Sequence, residues 1–216
     1  MVNCAICGIR KPKRQCPAVQ GQICSVCCAT EREKTLDCPL DCEYLKEAHK
    51  HEKPVALDPA ALPNQDIEIP EEFLQQNEWL LVLLGSALVD GVLKSPGMTD
   101  LQVRGELEKL IAAYRNPAGA DTVEGPVGQT VQARIADIRT RLAAMKPETS
   151  EEAEIPPMTI PDATLLSVMV FLQRLEYSHN NGRPLSRAFI HFLQQFHVPG
   201  LPAEETMEPE GQQVIS

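Results

Sequence analysis

Apolar residues recur along this chain at the period of a helix, from about residue 69 to residue 198. One stretch starts near Glu71 and runs through Phe73, Trp79 and Leu83 to Leu93, and it predicts a helix. A second opens at Thr99, where Thr99-Asp100-Leu101-Gln102 has the form of a capping box, and Leu107, Leu110, Ile111 and Tyr114 continue it at i, i+3, i+4, i+7. Val127, Val131, Ile135, Ile138, Leu142 and Met145 form the stripe of a third, which stops before Pro147. A fourth is expected from about Pro161 to Ser178, closed by Asn180-Asn181-Gly182, and a fifth over about 184–197. The Pro- and Glu-rich residues 147–161 read as a loop. The stripes predict a bundle packed around Trp79, Leu83, Leu110, Ile138, Phe171 and Phe189.

Outside this region the pattern changes. All eight cysteines lie between Cys4 and Cys42. Residues 1–53 carry nine basic and seven acidic side chains, whereas the remainder carries 11 basic and 23 acidic. Residues 54–68, PVALDPAALPNQDIE, have three prolines and no period. The expected organisation is therefore a cysteine-rich module (1–53), a Pro-rich linker (54–68), an all-α domain (69–198) and a flexible tail (199–216).

The first residues, MVNCAICGIRKPKR, contain no apolar stretch of the secretory kind, and the most apolar run, Trp79–Leu84, is far too short for a membrane span. A cytoplasmic protein is expected, and there a thiol cluster holds metal more readily than it forms disulfides.

The spacing is Cys4-x2-Cys7-x8-Cys16-x7-Cys24-x2-Cys27-Cys28-x9-Cys38-x3-Cys42. Eight thiols make two closed tetrahedral sets, the chemistry of two structural Zn2+ ions. None of the familiar ferredoxin spacings is present, which disfavours an iron–sulfur cluster. Cys4-Ala5-Ile6-Cys7-Gly8 has the form of a zinc knuckle, and Cys38-Pro39-Leu40-Asp41-Cys42 opens a helix. A knuckle first and a ligand-bearing helix last is the layout of a treble clef. A sequential scheme would force the neighbours Cys27 and Cys28 onto one ion, although adjacent side chains point apart. An interleaved scheme assigns Cys4, Cys7, Cys24 and Cys27 to one zinc, and Cys16, Cys28, Cys38 and Cys42 to the other. Exchange of Cys27 with Cys28 stays open, because Cys24-x3-Cys28 is also a legitimate pair. His49 and His51 stand nearest the cluster, and they read as exposed positions at a helix end.

The order of pairs, with Cys24-Ser25-Val26-Cys27-Cys28 in the middle, resembles the MYND- and HIT-type zinc fingers. The resemblance covers residues 4–42. It implies two interleaved zincs and a finger that recruits a protein partner. The chain departs from it at Ala18 and Val19, where the family places a cysteine, and in having no histidine between Cys28 and Cys38.

Arg10, Lys11, Lys13 and Arg14 form a basic loop between Cys7 and Cys16. It could meet phosphates, or compensate the charge of thiolate-bound zinc. A net charge of -10 and a single aromatic in residues 1–53, Tyr44, argue against nucleic acid as the main partner. Gly85-x5-Gly91-x2-Lys94-Ser95 resembles a P-loop only superficially, since it lies inside an apolar helical pattern. His179, Arg183 and Arg187 read as solvated turn residues, and His191 and His197 lack metal-type spacing. No hydrolase, metalloprotease or dinucleotide signature occurs. The expectation is a mostly α, non-catalytic zinc protein that acts as a protein-interaction adaptor. The alternatives are a nucleic-acid-binding regulator using Arg10–Arg14 and a zinc-thiolate redox sensor.

Overall fold

The computed structural model describes residues 2–54, 56, 58–117, 123–144 and 159–199. The protein is mostly helical, with one small hairpin near its start. Strand β1 (Arg14–Cys16) pairs antiparallel with β2 (Gly21–Ile23), and Cys16 lies opposite Gly21. Two short helices follow, α1 (Ser25–Glu31) and α2 (Glu43–His49). Every regular element described from residue 69 onward is a helix: α3 (Glu71–Gln76), α4 (Glu78–Leu93), α5 (Asp100–Arg115), α6 (Pro126–Ala144), α7 (Asp162–His179) and α8 (Ala188–Gln194). No helix among the described residues is long and apolar enough to cross a membrane.

Helix α4 packs mainly against α6, and α5 mainly against α7, with α8 resting on α4, α5 and α7. Leu84, Leu88, Leu107, Leu110, Val127, Leu165, Met169 and Phe189 fill the core between them. α4 is apolar on most of its circumference because neighbours surround it. Its Gly91 lies where α6 crosses: a Cβ there would sit 2.6 Å from the Val127 Cα. Gly91 is therefore a packing residue, and the P-loop likeness is accidental. The capping box holds: the Thr99 N–H donates to the Gln102 amide oxygen at 2.9 Å.

The expected first helix is two helices. Asn77 breaks it, with its side-chain amide donating to the Phe73 carbonyl at 2.8 Å and its backbone outside the helical region. A short amide that bonds its own backbone competes with the helix ladder. Of the expected core residues, Leu110, Ile138 and Phe189 are buried, and Leu83 and Phe171 are half-buried. Trp79 is not a core residue; it is 46% exposed. Leu80, Leu84 and Leu88 set the inward face of α4, and Trp79 stands about 100° away from Leu80 around the axis. The last helix is shorter than expected, because residues 183–187 turn to meet the N-terminal segment. Met145, most of the 147–161 loop and nearly all of the tail lie outside the described residues.

Part of the Pro-rich stretch is fastened to the helices. The Arg174 guanidinium donates to the carbonyls of Asn64 (2.7 Å) and Ile67 (2.9 Å), and Asn64 donates to the Gln173 carboxamide at 2.7 Å.

Candidate metal centre

The N-terminal turn is built on Gly8, whose φ of +65° favours glycine and whose N–H donates to the Cys4 carbonyl at 2.8 Å. The Ala5 N–H donates to the Gln22 carbonyl, which fixes this turn against β2. The hairpin then returns the chain to Cys24, the N-cap of α1, and α1 carries Cys27 one turn later. The result brings Cys4, Cys7, Cys24 and Cys27 together, with all four sulfurs within 4.8 Å of one another. Three of the four are buried, and Cys7 is half-buried.

The surroundings favour negative charge on Cys4 and Cys7. Burial pushes the Cys4 thiol up, but backbone N–H groups of Cys7, Cys24 and Ile6 prevail and bring it down to about 6. The Cys24 N–H reaches the Cys4 sulfur at 3.2 Å. The N–H groups of Arg10 and Ile9 lower the Cys7 thiol in the same way. Cys27 goes the other way: burial and the neighbouring sulfurs push it up to about 12. Four sulfurs this close cannot all ionise unless a cation joins them. The donor set, the enclosure and the N–H groups aimed at sulfur fit a closed tetrahedral thiolate site for a metal such as zinc.

Cys16, Cys28, Cys38 and Cys42 gather elsewhere, around one small cavity between β1, α1 and the start of α2. Their sulfurs are not drawn to within the 4.8 Å that unites the first four. The Arg14 guanidinium donates to the Cys28 sulfur at 3.2 Å and covers the Tyr44 ring at 4.7 Å. Burial pushes the Cys38 thiol up to about 11. Cys27 joins the first four sulfurs while Cys28 faces this cavity, because neighbours on a helix diverge by about 100°. The basic loop is thus partly spoken for: Arg14 lies on Cys28, and the nearby Cys24 sulfur pushes the Arg10 guanidinium above its ordinary value.

A second cluster joins this segment to the helices. Glu33, with a φ of +55°, is fully buried. Its carboxylate accepts from His49 Nε2 (3.0 Å), Asn181 Nδ2 (2.8 Å) and the Arg187 N–H (2.6 Å). Burial pushes this carboxyl up, yet those bonds hold it below its ordinary value. His191 Nε2 donates to the Leu40 carbonyl at 2.8 Å, so its Nδ1 accepts from His49 Nδ1, 2.5 Å away. Burial brings His191 down to about 4, which keeps it neutral. Glu33, His49 and Glu52 offer three ligand atoms within 4.8 Å, but the Asn181 amide already bonds both carboxylates, and Arg183 stands 3.6 Å from Glu33.

Two expectations are corrected here. His49 is buried in this joint, while His51 is exposed. Arg187 is fully buried, donating to the carbonyls of Cys38 (2.6 Å), Gly97 (2.6 Å) and Met98 (3.0 Å) and to Asp37 (2.7 Å). Nothing local in the sequence distinguishes these residues from solvated ones: every side-chain partner of Arg187 is more than 85 residues away, and His49 meets Glu33 16 residues earlier and His191 142 residues later. Comparison with family models, with curated proteins and with solved structures found no match for this chain.

Proposed function

We propose that this is a non-catalytic structural-zinc protein that works as a protein-interaction adaptor. The observation that carries the metal is the convergence of Cys4, Cys7, Cys24 and Cys27 in a shell of N–H donors. In this reading one Zn2+ binds there, and a second draws Cys16, Cys28, Cys38 and Cys42 together around their shared cavity. The treble-clef core is then knuckle, hairpin and α1, with the start of α2 serving the second ion. The interleaving agrees with the likeness to MYND- and HIT-type fingers.

Support for an adaptor comes from the outer face of the module. Ile9 is 83% exposed, and Ile6, Val19 and Val26 are also exposed, so a partner seated there would remove apolar surface from water. The test is elemental analysis of purified protein together with capture of partners from cell extract. We expect two zinc ions per chain, and a specific protein retained by the natural chain and lost by Ile9→Glu/Val26→Glu with zinc unchanged. One zinc would remove the second site. Full zinc with no protein retained would refute the adaptor role, and a complex with RNA or DNA that loosens with salt would favour the nucleic-acid alternative instead.

A further inference from the structure

Helix α2 and the residues just after it turn lysines into a space shared with the helical part. Lys46 and Lys50, four residues apart, share one face, and Lys53 follows just beyond the helix. Together they line a cavity of about 710 Å3 whose other wall comes from α7 and α8. That size suits a small organic ligand.

The charge in this cavity is unbalanced. Lys50 pairs with Glu47 at 3.0 Å, but among the described residues no carboxylate pairs with Lys46 or Lys53. Glu52, the acidic group in the lining, accepts from Asn181 at 3.1 Å and faces Arg183 at 3.7 Å. Attraction to the C-terminal end of α2 accounts for a lysine in the last turn. It does not account for the rest of the lining. Phe192 and His179 lie stacked there, ring centroids 3.8 Å apart and 25° from parallel, and the Gln194 and Gln195 carboxamides stand beside them. A flat aromatic pair lining the same cavity as ammonium groups that have no carboxylate partner among the described residues is complementary to a molecule with a planar body and a negative head.

We infer that this cavity binds a small organic anion, with a planar apolar body against Phe192 and His179 and a carboxylate, sulfonate or phosphate held by Lys46 and Lys53. The site lies outside both cysteine groups and is independent of the adaptor reading.

The probe is 8-anilinonaphthalene-1-sulfonate, titrated by fluorescence into the full-length protein, beside its uncharged analogue N-phenyl-1-naphthylamine. The expected result is one saturable sulfonate site. Two cation contacts of modest strength together set the head group's contribution, so the Lys46→Gln/Lys53→Gln variant is expected to bind about tenfold more weakly, and the uncharged analogue likewise. Both lysines are exposed, and circular dichroism checks that the variant keeps its helicity. No saturable binding would overturn the inference. So would equal affinity in the variant, or equal affinity of the uncharged analogue, which would put the probe in the apolar groove near Phe171 and Phe196.

Discussion

The Arg187 guanidinium, which precedes the last helix, donates to the backbone carbonyl of Cys38 at 2.6 Å. One buried side chain from the helical part therefore holds the main chain beside a cysteine of the second foursome. The same guanidinium holds the α4–α5 connection through Gly97 and Met98. Replacing Arg187 by Met would leave the buried carbonyls of Cys38 and Met98, and the less buried one of Gly97, without this donor. We expect a loss of about 3 kcal/mol or more, read as a lower urea midpoint, with Arg187→Lys recovering only part of it.

Metal removal should act beyond the cysteine segment but stop short of the bundle. That segment has little apolar core apart from the cysteines, Ile23, Leu36 and Leu45, so a strong chelator should unfold it. The Leu185 N–H donates to the Glu33 carbonyl, and Arg187 depends on Cys38, so residues 183–194 should lose protection with it. Helices α4 to α7 bury their own core and should keep theirs. Hydrogen exchange with and without chelator checks this; full protection of residues 183–194 after metal removal would show that the joint carries no energy.

Asp100 gives a pH signature. Its carboxylate accepts from Ser186 Oγ (2.5 Å) and from the N–H groups of Phe189 (3.1 Å) and Ile190 (3.2 Å), capping α8. Burial pushes it up to about 6 from an ordinary 3.8, against the pull of those bonds. Between these values the folded chain holds a proton that the unfolded chain has released. Asp100 therefore favours folding fully below about pH 4, and that advantage is lost as pH rises through about 6, a change of about 2–3 kcal/mol. Asp100→Asn should cost more at pH 4.5 than at pH 7.5. Urea unfolding of both proteins at each pH measures the difference, in which acid effects common to both, such as cysteine and His191 protonation, cancel.

Two glycines should respond oppositely to alanine. Gly91→Ala puts a Cβ 2.6 Å from the Val127 backbone, forcing α4 and α6 apart at about 1–3 kcal/mol. Gly105→Ala, inside α5 with nothing within 4 Å, should stabilise by about 0.5–1 kcal/mol. Thermal unfolding of the pair decides it.

The sequence alone determined what depends on neighbours a few residues apart. Cys4-x2-Cys7 and Cys24-x2-Cys27 are short-range spacings, and they meet as one group. The Thr99–Gln102 box and the stripes of α5 and α6 are likewise local, since a helix repeats every 3.6 residues whatever it later packs against. Tertiary structure decided the rest. It chose Cys27 over Cys28 for the first group, because only the course of the hairpin fixes which side of α1 faces Cys4. It turned Trp79 outward, because the partner helices, and not apolarity, select the buried arc of α4. Above all it buried Glu33, His49, Arg187 and His191 together. A charged residue is stable in an interior only when its hydrogen bonds are met there, and these partners are brought together by the fold from distant parts of the chain.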